Sequence, residues 1–119
     1  MATTRDVRIP DRDAIVQGDR WSMSVAITYT GFDFGAVDFA ATIRAHYQAD
    51  TGEDFTVADL VDGVVGEVSF RLVLDAEQTA GLDAGQDHVF DIEWVADTDQ
   101  PFTFARVTVP VLPQVTSGV

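Results

Sequence analysis

The chain contains no cysteine and no lysine. Without cysteine it can form no disulfide and no thiolate metal site. Without lysine, its seven basic residues are all Arg, set against twenty acidic residues for a net charge of −13. Sixteen of those acids are Asp, most of them where turns are expected, in keeping with the poor fit of Asp to strand interiors. A surface this negative repels phosphate backbones, because nucleic-acid affinity rests on basic groups that displace condensed counterions. No nucleic-acid partner is expected. No apolar run reaches the length of a membrane span, and Met1-Ala2-Thr3-Thr4-Arg5-Asp6 lacks the layout of a signal peptide. The expectation is a protein with no membrane partner and no mark for secretion. Histidine is scarce too, with only His46 and His88. Serines are few and no Gly-x-Ser-x-Gly elbow occurs, so no catalytic residues and no cofactor are expected.

What the chain does have is alternation. From Trp21 to Thr30, large apolar residues occupy 21, 23, 25, 27 and 29, and small or polar ones the positions between. A period of two marks a strand with one face buried. The pattern returns at 39–47, 64–74, 88–95 and 102–109, with weaker strands at 5–9, 14–16 and 55–60. Turn residues separate these runs: Gln17-Gly18-Asp19, Asp50-Thr51-Gly52-Glu53, Asp62-Gly63 and Gly85 to Asp87. One segment changes period. Asp75 and Gln78 have capping-box spacing and Gly81 follows as a stop, which predicts a single helical turn within 75–82. The expected fold is an all-β, antiparallel, immunoglobulin-like sandwich of about seven or eight strands, with one short helical turn. Residues 1–10 form an N-terminal arm or edge strand, 11–113 the sandwich, and 114–119 a loose polar tail. Trp21, Val25, Ile27, Ile43, Phe70, Leu72, Phe90, Ile92 and Trp94 are the expected core, and Tyr47 is placed on the apolar face of its strand.

An ordered set of short motifs runs through this pattern: Gln17-Gly18-Asp19 then Trp21; Val37-Asp38-Phe39 then Ala41-Thr42-Ile43-Arg44; Gly66 before a long strand; Thr79-Ala80-Gly81-Leu82; Phe90-Asp91-Ile92-Glu93-Trp94; and Val107 to Val111 before Val115-Thr116. Over residues 16–116 this order resembles the small immunoglobulin-like proteins of tailed-phage particles and the N-terminal domain of phage baseplate upper proteins. Phe39-Ala40-Ala41 stands where that family has Leu-Thr-Gly, and Phe90-Asp91-Ile92-Glu93 where it has Tyr-Asp-Leu-Glu. The resemblance implies a non-enzymatic structural protein located in the virion, with other phage structural proteins or copies of itself as partners. It implies no catalytic residue and does not distinguish tail, baseplate, neck or capsid.

Interface candidates follow from groups that a lone domain has little reason to expose. Val7 and Ile9 lie on the N-terminal arm, which Pro10 ends. Phe32 and Phe34 lie in a glycine-flanked loop and either cap the core or dock on a partner. Phe102 and Phe104 differ in parity from Val107 and Val109, so either a bulge near Ala105-Arg106 restores register or one pair is left outside. Arg106, with Arg44 and Arg71, lies inside a strand and has two readings, pairing across the sheet or contact with a neighbour. Asp83, Asp87, Asp97 and Asp99 form turn clusters that could suit calcium, although Asp-rich turns are common without metal. A second functional class is a carbohydrate- or host-surface-binding sandwich, in which Trp94 or Phe34 would stack on sugar rings.

Overall fold

A computed structural model describes residues 5–29, 34, 38–95 and 101–114. Phe32, Asp97, Asp99 and most of the tail lie outside that set, as do the side chains of Arg5 and Phe102. Nine strands, numbered here in chain order, are present among the described residues: β1 Arg5–Arg8, β2 Ile15–Val16, β3 Trp21–Thr28, β4 Asp38–Arg44, β5 Glu53–Asp54, β6 Thr56–Val64, β7 Glu67–Leu74, β8 Gln86–Val95 and β9 Pro101–Leu112. The helix α1, Ala76–Ala80, lies between β7 and β8. One sheet runs β1-β9-β8-β4-β5, with β2 also on β9, and the other runs β3-β7-β6. The chain is an all-β two-sheet sandwich.

The alternation in β3 produces its burial directly. Val25 and Ile27 are buried, Trp21 and Met23 pack against the core, and Ser22, Ser24, Ala26 and Thr28 are exposed. Opposite them, Val68, Phe70, Leu72 and Leu74 of β7 turn inward. Ile43, Phe90, Ile92, Val107, Val109 and Val111 supply the facing sheet. Two aromatic groups fill the ends of this layer. Phe55 lies 4.6 Å from Phe90, and Trp21 stands near both rings. At the other end Phe39 lies 4.6 Å from Phe70, and Phe34 meets Trp94 edge-on at 5.5 Å. Tilted and edge-on geometries are those that ring quadrupoles favour.

The predicted helical turn is present with its capping box. Gln78 N–H donates to Asp75 Oδ1 at 2.8 Å, and Asp75 N–H donates to Gln78 Oε1 at 3.0 Å.

Several expectations are corrected. The sandwich is not wholly antiparallel: β1 and β2 both run parallel to β9. They share one edge of it, and the gap between them falls at Pro10 and a turn at Asp11–Asp13, beside Pro110 of β9. Proline cannot donate to a ladder, so pairing breaks there. The arm is therefore an edge strand of the domain. Strand β4 ends at Arg44, and Tyr47 leaves the apolar face and is half exposed. The turn expected at Asp62-Gly63 lies instead at Val65-Gly66, where Gly66 has φ +91°, and Asp62 and Gly63 continue β6.

That shift has a cause in β6. Its register against β7 slips twice, between Ala58 and Val61 and between Val61 and Val64. Each slip adds a residue to the edge strand, which bends and twists it. Asp59, at the first slip, has φ +55° and is the non-glycine residue with positive φ among those described. Asp tolerates this region better than branched residues do. Its contact with Arg71, at 4.0 Å between exposed groups, adds little. We expect Asp59→Gly to be neutral or slightly stabilising and Asp59→Val to lose about 1–2 kcal/mol. Thermal melts of the two variants check this, and equal losses would mean that Asp59 is not held left-handed.

Candidate functional site

Register places one polar row across five strands on the outer face of the larger sheet. Asp6 of β1 pairs with Arg106 of β9, Arg106 with Asp91 of β8, Asp91 with Thr42 of β4, and Thr42 with Asp54 of β5. These residues are far apart in sequence and meet only because four strand pairings align. Thr42 Oγ1 donates to Asp54 Oδ1 at 2.7 Å. Arg106 Nε lies 3.8 Å from Asp91 Oδ1, an ion pair longer than a hydrogen bond, and that oxygen is covered without a hydrogen-bond partner. Of the two readings of Arg106, the structure shows pairing across the sheet, with about half of the side chain left exposed.

Tyr47 completes the row. The guanidinium of Arg106 sits 5.4 Å from the Tyr47 ring centroid, a cation–π contact at a site open to solvent. Burial, then the negative charge of Asp91, pushes the Tyr47 phenol up from its ordinary value, while Arg106 opposes this and Asp6 adds to it. The phenol is therefore neutral at physiological pH and offers a donor as well as a ring. One row further on, Arg8 donates to Asp87 at 2.9 Å, which raises the Arg8 pKa through the hydrogen bond and the charge of Asp87. Tyrosine and arginine are residue types that carry energy at protein contacts, whereas carboxylates add charge selectivity.

The other interface candidates fall differently. Phe34 is 3% exposed and packs against Phe39 and Trp94, so of its two readings the structure shows capping of the core, and its place among the interface candidates is corrected. Trp94 is 5% exposed, which removes both proposed sugar platforms. The parity break in β9 is resolved by a bulge. Ile92 pairs with Ala105 and Glu93 with Thr103, so Phe104 is the extra residue, and its ring lies 5.9 Å from Trp94. Phe104 is thus partly buried against its own core. Phe102 pairs through its backbone with Trp94. Ile9 also packs on the core and its N–H bonds Thr108 O at 2.8 Å, whereas Val7 is 37% exposed at the sheet edge. His46 is exposed, and His88 lies inside β8 and is buried. Among the described residues no three His, Asp or Glu side chains converge as a metal site would require. No helix among them is long and apolar enough to cross a membrane.

The motif residues are joined by a clasp that sequence reasoning missed. Gly18 N–H donates to Thr79 Oγ1 at 3.0 Å, the Thr79 hydroxyl donates to Asp19 O at 2.8 Å, and Gln17 Nε2 donates to Leu82 O at 2.6 Å. Thr79 is fully buried, and Gly18 has φ +84°, a backbone that L side chains rarely adopt. The Gln-Gly-Asp turn and the Thr-Ala-Gly-Leu segment are thus two halves of one lock. These motifs tie the turn before β3 to the segment after α1. No family model matches the chain, and no curated protein is significantly similar to it.

Proposed function

We propose that this protein is a non-enzymatic structural component of a tailed-phage particle, acting through protein–protein contacts in the assembled virion. The observation that carries this reading is the clasp. Two motifs of the phage-family resemblance, far apart in sequence, bond to each other, which is what motifs that maintain a fold should do. Function then rests on a surface, and the Asp6–Arg106–Asp91–Thr42–Asp54 row with Tyr47 is the surface best equipped for it. Its three carboxylates against one Arg favour a basic neighbour, and many weak contacts suffice when a particle holds many copies in place.

The absence of lysine makes the test clean. Carbodiimide joins carboxylates to amines, so crosslinks from acidic side chains of this chain to lysines in purified particles report other proteins, and any to an N-terminal amine are told apart by peptide mapping. We expect crosslinks from Asp6, Asp54 or Asp91 to another structural protein. We further expect Arg106→Ala to keep folding stability within about 1 kcal/mol while lowering incorporation into particles. Absence of the chain from purified particles would overturn the proposal, and crosslinks confined to a different face would overturn the assignment of the surface.

A further inference from the structure

At the end of the sandwich away from the β6–β7 turn, a cavity of about 180 Å³ opens between β4, the segment after it and the residues following α1. Ile43, Leu82 and His88 are the buried residues of its lining. Glu53 is half-buried and Asp83 is exposed, which sets these two acids toward its mouth. Arg44 is the cation of the lining, and its Nη1 donates to Ala49 O at 3.1 Å. The lining thus sets one tethered cation against two carboxylates. Gly52 keeps one side of the opening thin. A Cβ there would lie 2.6 Å from Ile43 O, so no side chain fits without moving the backbone.

His88 is the independent sign that something belongs here. It is 2% exposed, it lies on the inward face of β8 with Phe90, Ile92 and Trp94, and its Nδ1 has no hydrogen-bond partner within the protein. Buried polar atoms are rarely left unmatched, because an unmade hydrogen bond costs its full desolvation. A neutral imidazole keeps one nitrogen as an acceptor. A half-turn of the ring exchanges nitrogen and carbon positions, so that acceptor can face the cavity without displacing the strand.

We propose that this cavity is a docking pocket for one primary-ammonium side chain, a lysine of a neighbouring protein. The inference rests on the reading of the chain as a protein-contact module and names the group that the contact inserts. Ile43 and Leu82 offer apolar wall to a methylene stem, Glu53 and Asp83 offer charge to the ammonium, and His88 offers an acceptor. A second copy cannot supply the guest from its side chains, since the chain has no lysine, so the pocket is heterotypic. Charge also favours a basic guest on a protein of net charge −13.

The test is a nuclear magnetic resonance titration of the labelled full chain with Nα-acetyl-lysine amide. Nα-acetyl-norleucine amide serves as the uncharged isostere and Nα-acetyl-arginine amide as the alternative cation. We expect saturable shifts at Gly52, Glu53, Asp83 and the His88 ring with the lysine amide, with a Kd on the order of millimolar, as suits so small a ligand. Asp83→Asn and Glu53→Gln should each weaken binding about two- to five-fold. Both are conservative changes at residues that are not buried, and unchanged backbone spectra would confirm that they fold. Shifts that fail to saturate, that are equal with norleucine amide, or that survive both substitutions would overturn the pocket and leave His88 answered by water. Stronger binding of the arginine amide would overturn the choice of ammonium. None of these outcomes bears on particle crosslinks, which test the parent reading separately.

Discussion

Thr79→Val should cost about 2–4 kcal/mol although it exchanges one buried residue for another of nearly the same shape. The hydroxyl accepts from Gly18 N–H and donates to Asp19 O, with Ala76 O also within reach at 3.1 Å. Valine abolishes both bonds and leaves a backbone donor and a backbone acceptor unmatched in a part-buried site. Each orphaned group costs about 1–3 kcal/mol when water cannot replace the partner. Partial access of water to the Gln17-Gly18-Asp19 turn keeps the sum below its ceiling. Thr79→Ser, which keeps the hydroxyl and loses a methyl, should cost about 1 kcal/mol. Urea denaturation of the three proteins checks the order. Equal losses for Val and Ser would show that packing alone matters at this position and that the clasp contributes nothing.

The clasp also marks where sequence reasoning reached its limit. Strand β3 was legible because its pattern is local: side chains alternate, one set is apolar, and its partner β7 carries the matching set. The capping box at Asp75 and Gln78 was legible for the same reason, since both halves lie within one turn. Thr79 was not, because its partners are about sixty residues away and a threonine in a short helix has no distinctive local signal. The Asp6–Arg106–Asp91–Thr42–Asp54 row needed four registers, and register is set by pairing that no single segment encodes. Parity did expose the fault in β9, and a bulge at Phe104 resolves it. Parity misplaced Tyr47, because it assumes that a strand continues. Strand β4 stops at Arg44, the next segment turns back, and the Tyr47 ring finds Arg106 on the outer face. His88 follows the inward parity of Phe90 and Ile92, yet its position just after a turn concealed how deeply the end of the sandwich is closed.

The largest single loss should come from Phe70→Ala. Phe70 is 3% exposed, lies at the centre of β7, pairs with Val25 across the smaller sheet and stacks at 4.6 Å on Phe39 of the opposite sheet. It therefore touches both layers, and its removal opens a cavity that neither can close without breaking its own ladder. Phenylalanine-to-alanine changes in such sites cost about 3–5 kcal/mol, from lost transfer energy together with the void left behind. Ile27→Ala, one pair along on β3, should cost about 2–5 kcal/mol by the same mechanism, since Ile27 is 2% exposed opposite Val68. Thr28→Ala is the control: it follows Ile27 directly, faces outward, and should change stability by no more than about 0.5 kcal/mol. The contrast between adjacent residues separates the burial of one face from any general intolerance of the strand. Chemical denaturation of all three variants measures it. Similar losses for Ile27→Ala and Thr28→Ala would contradict the face assignment on which the two-sheet packing rests.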